Sequence, residues 1–283
     1  MRRVNRAGAL QRFAKLCDKK GLLSALRGTD RQWPQTPQIS SVERMALTAR
    51  PTDAPFENRP MSEFLQTIDV LIEPRGLEGI VRLPKRPIGL IIFAHGSGSS
   101  RFSPRNAFVA QRLSDCGFAT LLFDLLTADE EQDRRNVFDI PLLGCRLGEA
   151  IAWASTSSDV QILPIGLFGA STGATAALVA AANEPGRIRA VVSRGGRPDL
   201  AEEALFRVQA ATLLIVGGLD YEVLDLNRRA LALLRCQKRL DVVPRATHLF
   251  EEPGTLEAVV EASIGWLAAH VPEMSDDRRM DER

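Results

Sequence analysis

Gly169-Ala170-Ser171-Thr172-Gly173 sets a serine between two glycines, each two residues away, directly after the apolar run 163–168. A helical pattern begins at once, over residues 172–182. On so sharp a strand-to-helix turn the central residue is forced into strained backbone space, and its hydroxyl stands clear at the helix N-terminus. Small residues two places either side let the chain pass close by. That arrangement suits a nucleophile attacking a carbonyl carbon. A plain N-cap serine would need glycine at neither end.

A serine hydroxyl is a weak nucleophile at neutral pH and needs a base. The chain has three histidines, His95, His248 and His270. His270 closes the last helical pattern, and His95 ends the third apolar strand just before Gly96. His248 follows the last strand, in the kind of loop where α/β sheets assemble their sites, and is the expected base. The base in turn needs a carboxylate to hold its tautomer. Asp220 fits, because it lies just past the strand run 212–216 with Gly217 and Gly218 freeing the turn. Asp225, a turn and a half into the next helix, and Asp124, after an earlier strand, are its rivals.

A tetrahedral intermediate also needs aimed N–H donors. Thr172, next after Ser171, supplies one amide. Ser97, in His95-Gly96-Ser97-Gly98-Ser99-Ser100, is the expected second. That loop has the composition of a phosphate cradle, yet the chain contains neither G-x-x-x-x-G-K-[ST] nor G-x-G-x-x-G. Arg101, Arg105, Arg194 and Arg197 follow the carboxyl ends of two strands. They are candidates for holding a substrate carboxylate or phosphate, against the alternative of structural pairing or a solvated face.

These residues need a frame to position them. Residues 66–73 and 77–83 alternate as strands around the turn Pro74-Arg75-Gly76, which suits an antiparallel hairpin. Residues 88–94 form a continuous apolar run, the signature of a strand buried on both faces. Further strands follow at 119–123, 163–168, 188–193, 212–216 and 239–243. Between them fall helical patterns at 103–116, 139–155, 172–182, 198–207, 222–235 and 256–270. Such alternation gives βαβ units, hence an eight-stranded, mostly parallel sheet with helices on both faces. The link 194–211 is too short for a cap domain.

Composition excludes several classes. The 283 residues are 45% apolar and 25% charged, which rules out wholesale disorder and repetitive polymers. No run approaches 18 apolar residues, so no membrane-spanning helix is expected, and the basic N-terminus lacks the apolar core of a secretory signal. The cysteines Cys17, Cys116, Cys145 and Cys236 form no C-x-x-C pair, which fits reduced thiols and a cytoplasmic location. Residues 1–60 carry 12 Lys and Arg against five Asp and Glu, but lack the aromatic interleaving used to stack bases, so no nucleic-acid partner is expected. They read as a basic extension and linker, residues 61–272 as the domain, and 273–283 as a charged tail.

From about residue 66 to 271 the sequence resembles the dienelactone hydrolase branch of the α/β-hydrolases. The stretches that carry this are His95-Gly-Ser-Gly-Ser-Ser-Arg-Phe-Ser-Pro-Arg-Asn106, Gly169 to Gly173, Ser193-Arg-Gly-Gly-Arg-Pro-Asp199 and Ala246-Thr-His-Leu-Phe-Glu-Glu-Pro-Gly254. The order Ser171, Asp220, His248 is also that of the α/β-hydrolases. The resemblance implies an α/β-hydrolase fold and hydrolysis of small esters or lactones without metal or organic cofactor. Dienelactone hydrolases carry cysteine where this chain has Ser171, which moves the expectation from lactones to a general serine esterase. A peptidase or thioesterase on the same triad, and a non-catalytic binding protein, are the competing readings. A homodimer is compatible with all of them. Some relatives are fused to a phosphoribosyltransferase domain; residues 1–60 are too few for one and contain no acidic phosphoribosyl-pyrophosphate loop.

Overall fold

The computed structural model describes residues 65–271; the basic extension, its linker and the charged tail fall outside the described residues. Eight strands form one sheet: β1 Leu65–Ile72, β2 Leu77–Pro84, β3 Leu90–Ala94, β4 Ala119–Phe123, β5 Ile165–Ala170, β6 Ile188–Arg194, β7 Ala211–Gly217 and β8 Lys238–Val243. Their spatial order is β1-β2-β4-β3-β5-β6-β7-β8. β1 pairs antiparallel with β2, and β2 antiparallel with β4; every later pairing is parallel. Parallel neighbours need crossovers, and the helices supply them.

Those helices are α1 Pro104–Asp115, α2 Ala128–Glu131, α3 Ile140–Ala154, α4 Thr172–Asn183, α5 Tyr221–Leu233 and α6 Thr255–His270. Their starts are chemically marked. Ser103 caps α1, with Pro104 at its first position. The Asp139 carboxylate accepts from Leu142 N and caps α3, and Thr127 and Glu130 close a reciprocal capping box on α2.

Successive residues of a strand face opposite layers, and the central strands are apolar on both faces. Leu90, Ile92, Leu167 and Leu214 pack into the layer with α3 and α4. Ile91, Phe93, Phe168, Leu213 and Ile215 pack into the other, with Val109 and Leu113 of α1 and Val259, Val260 and Leu267 of α6. Double burial explains why these strands read as continuous apolar runs rather than alternating ones.

The sequence pattern missed the short α2 and the 3-10 turn Asn136–Phe138, whose few residues carry no periodicity. The short helix expected at 198–207 is a 3-10 helix, Pro198–Arg207. Its entry is pinned from outside: Thr175 Oγ1 donates to the Arg197 carbonyl at 2.7 Å, and Asn227 Nδ2 to the Gly196 carbonyl at 2.9 Å. Among the described residues no helix is long and apolar enough to cross a membrane.

Candidate active site

β5 enters the elbow at Ala170, and Ser171 sits at φ 51°, ψ −120°, before α4 begins at Thr172. A non-glycine residue in this region costs about 1–3 kcal/mol and persists only where its surroundings over-determine it. Here the surroundings are backbone. A Cβ on Gly169 would fall 2.6 Å from the Gly173 carbonyl oxygen and 2.7 Å from Ala174 N. One on Gly173 would fall 2.6 Å from the Ala94 carbonyl carbon. None of these atoms can swing aside, so both outer positions of the motif demand glycine. Ser171 N donates to the Arg194 carbonyl at 3.1 Å, tying the elbow to the end of β6.

The acid and base loops are stitched to each other. Gly218 N donates to the Val243 carbonyl at 2.8 Å and Leu219 N to the Ala246 carbonyl at 2.9 Å. These two bonds carry Asp220, past the end of β7, to His248, past the end of β8. His248 Nδ1 lies 2.7 Å from Asp220 Oδ2, with the carboxylate 15% exposed and the imidazole 38%. An ionised carboxylate can only accept, so in the neutral imidazole the proton sits on Nδ1 and the lone pair on Nε2. Gly195, at φ 54° just after β6, lies against this ring: its Cβ would stand 3.6 Å from His248 Cε1 and Nδ1. The rival carboxylates are engaged elsewhere. Asp225 pairs with Arg228 at 2.9 Å on an exposed face, and Asp124 holds both the backbone amide and the guanidinium of Arg101. His270 is remote in role, with Nδ1 donating to the Trp266 carbonyl at 2.7 Å within α6.

The loop after β3 crosses the elbow closely, since a Cβ on Gly96 would lie 3.1 Å from Ser171 Cβ and from the Ala170 carbonyl oxygen. Thr172 is the first residue of α4, where a helix leaves its N–H without an intrahelical partner. The Ser97 amide is already committed: it donates to Thr172 Oγ1 at 2.9 Å. Sequence reasoning assigned His95 no role. The structure buries it, with Nδ1 donating to the Gly96 carbonyl at 3.0 Å and Nε2 accepting from Leu125 N at 3.1 Å. Burial lowers its pKa, opposed by the Gly96 carbonyl and the charges of Asp124 and Glu131. Its position immediately before Gly96 was the available signal.

The four arginines separate sharply. Arg101 is held by Asp124 and Glu78, Arg105 by Glu251 at 3.0 Å, and Arg197 by both oxygens of Asp199. Among the described residues Arg194 meets no carboxylate. It is 8% exposed, its Nε and Nη1 are buried without partners, and Nη2 reaches Asn106 Oδ1 only at 3.4 Å. Burial, with Arg105 nearby, pushes its pKa down to about 10. Among the described residues no group of three metal-ligating side chains comes together.

A dienelactone hydrolase from Anabaena variabilis shares 50% identity with this chain at a TM-score of 0.71, covering 74% of this chain and 98% of its own. The chain belongs to the dienelactone hydrolase family. No family model matches it. Two Mycobacterium tuberculosis proteins with the provisional name phosphoribosyl transferase are 55% identical over 206 residues. That match covers 73% of this chain but 46% of theirs, so the chain spans about half the length of these curated relatives. The same fold is found in Est1E from Butyrivibrio proteoclasticus, at a TM-score of 0.59 with 17% identity, over 71% of this chain and 99% of its own.

Proposed function

We propose that this dienelactone hydrolase family member is a serine hydrolase of small carboxylic esters. The carrying observation is the strained Ser171 elbow, tied through Arg194 to the end of β6, where the His248 ring lies with its Nδ1 bonded to Asp220. In this reading His248 Nε2 takes the Ser171 proton as Oγ attacks the ester carbonyl. It returns that proton to the departing alkoxide, leaving an acyl group on Ser171. His248 then removes a proton from water as that water attacks the acyl carbonyl, and returns the proton to Ser171 Oγ as the acyl–oxygen bond breaks and the acid is released. Asp220 keeps the imidazole in the required tautomer and stabilises the imidazolium that forms in both steps. The Thr172 amide and the loop after β3 stabilise the oxyanion. Neither a metal nor an organic cofactor enters the scheme.

Arg194 supports a narrower substrate class. A buried guanidinium with two nitrogens unpartnered among the described residues is a costly arrangement that an anion would relieve through charge-assisted hydrogen bonds. The favoured substrate is therefore an ester that carries a free carboxylate.

A fluorophosphonate probe tests the reading directly. It should label Ser171 in the folded protein, and the same preparation should hydrolyse p-nitrophenyl esters faster than acyl-CoA or peptide anilides. Absence of labelling would favour a non-catalytic binding protein instead. The phosphoribosyl transferase name belongs to relatives of which the matched segment covers 46%, and no residue of the elbow, acid or base loops calls for that chemistry.

A further inference from the structure

Ser171, Asp220 and His248 all lie past the carboxyl ends of strands. At the opposite end, beside the amino ends of β6, β7 and β8, lies an open cavity of about 600 Å³. Small-molecule sites span roughly 300–1,000 Å³, so this one has room for a ligand. Phe206 and Arg207, the last residues of the 3-10 helix, line it together with Val208. Arg235 and Cys236 enter from the link between α5 and β8, and Pro185 from the link between α4 and β6. β7 is seven residues long, which at about 3.3 Å per residue puts roughly 20 Å between this cavity and the catalytic loops.

The cavity carries two cations that meet no carboxylate among the described residues. Arg207 Nη1 donates only to neutral acceptors, Asn183 Oδ1 at 3.3 Å and the Ala182 carbonyl at 3.5 Å. Arg235 makes no hydrogen bond among the described residues; its guanidinium carbon stands 5.2 Å from the centroid of the exposed Phe206 ring. α4, the 3-10 helix and α5 all end here, and helix C-termini favour nearby cations. That accounts for the charge, but it occupies few of the five N–H donors on each guanidinium. The ring holds the Arg235 fork through a cation–π contact, and Val208 and Pro185 add apolar surface. We propose that this cavity binds a small organic anion. Its carboxylate or phosphate takes charge-assisted hydrogen bonds from Arg207 and Arg235, and its apolar body lies against Phe206 and Val208. The site is separate from Arg194 and does not depend on Ser171 being a nucleophile.

Phenyl phosphate and benzoate are suitable probes, with benzyl alcohol as their uncharged match. Cys236, half-buried in the same wall, reports occupancy locally in the full chain. A saturating anion should slow its alkylation by iodoacetamide at least about threefold, read by peptide mass spectrometry, while the exposed Cys116 keeps its rate. Calorimetric titration of Arg194→Met, which removes the other anion site, should give a Kd below about 1 mM for at least one anion. The tighter of the two identifies the head group. In that background Arg207→Gln and Arg235→Gln should each weaken binding about tenfold or more, as for a lost charge-assisted hydrogen bond. If Arg207→Gln changes the circular dichroism spectrum, Arg235→Gln decides alone. If Cys236 does not react in the free protein, calorimetry decides. Equal binding of benzyl alcohol, or undiminished binding in the glutamine variants, would show a merely apolar cleft and overturn the proposal. So would the absence of binding by both anions at about 10 mM. Ester hydrolysis and labelling of Ser171 are measured separately, so the hydrolase reading and this proposal fail independently.

Discussion

Replacing Arg194 with methionine should make the protein more stable and less selective. The guanidinium is buried at the end of β6, where burial and the neighbouring Arg105 lower its pKa from 12.5 to about 10. At about 1.4 kcal/mol per unit, that displacement corresponds to roughly 3 kcal/mol of unfavourable free energy for the charged form. The single bond at 3.4 Å to Asn106 Oδ1 offsets little of it. Methionine follows the same path with an apolar stem, and buried charges exchanged for apolar groups of similar volume are commonly neutral to stabilising. Allowing for imperfect packing, Arg194→Met should raise stability by about 1–3 kcal/mol. In a domain of this size each kcal/mol moves Tm by about 2–4 °C. The compensating loss appears in function. For a monoester bearing a free carboxylate, kcat/KM should exceed that of its methyl diester by about 1–3 kcal/mol of transition-state binding, roughly five- to 150-fold. Arg194→Met should bring the two to parity. Scanning calorimetry and paired kinetics at low ionic strength read both effects. A lower Tm together with an undiminished carboxylate preference would refute the reasoning, because Arg194 would then be structural and satisfied.

Ser171→Ala and His248→Ala should each reduce kcat by about 10³-fold or more without loss of the folded state, and Asp220→Asn by less than Ser171→Ala. A silent Asp220→Asn beside a damaging Asp225→Asn would reassign the acid. Gly173→Ala drives a methyl group into the backbone of Ala94 and His95, and should cost at least about 3 kcal/mol by urea unfolding. Gly265→Ala in α6, where a Cβ meets nothing within 4 Å, should instead gain roughly 0.5–1 kcal/mol. His95 makes stability pH-dependent. Its folded pKa lies below the ordinary value near 6.5, so below that pH the unfolded chain takes up a proton that the folded one refuses. Stability is fully present above about pH 6.5 and falls as the pH drops toward the folded value. His95→Asn should flatten that part of the curve between pH 7.5 and 5.5 in urea midpoints.

Much of this architecture is legible from local pattern. Alternating apolar strands and amphipathic helices, each long enough to show its period, dictated the eight-stranded α/β sheet and put the loops around Ser171, Asp220 and His248 at carboxyl ends of strands. The glycines at 169 and 173 are local as well, since a Cβ at either would strike backbone within a few residues or on the adjoining β3. Short elements such as α2, with four residues, carry too little period to be seen.

Partnership, by contrast, was decided by the tertiary structure. Four arginines follow two loops in similar sequence surroundings, yet three meet carboxylates and Arg194 meets none among the described residues. Arg105 finds Glu251, 146 residues away, and Arg101 finds Asp124, 23 residues away. Asp220, Asp225 and Asp124 are chemically alike, and only the stitching of the β7 and β8 loops brings Asp220 against His248. The Ser97 amide was legible as a donor, but its acceptor, the Thr172 hydroxyl, lies 75 residues on. Periodicity is set by the chain's own geometry and is written locally. A hydrogen bond or ion pair depends on where two distant loops converge, and that position exists only once the sheet has brought its strand ends together.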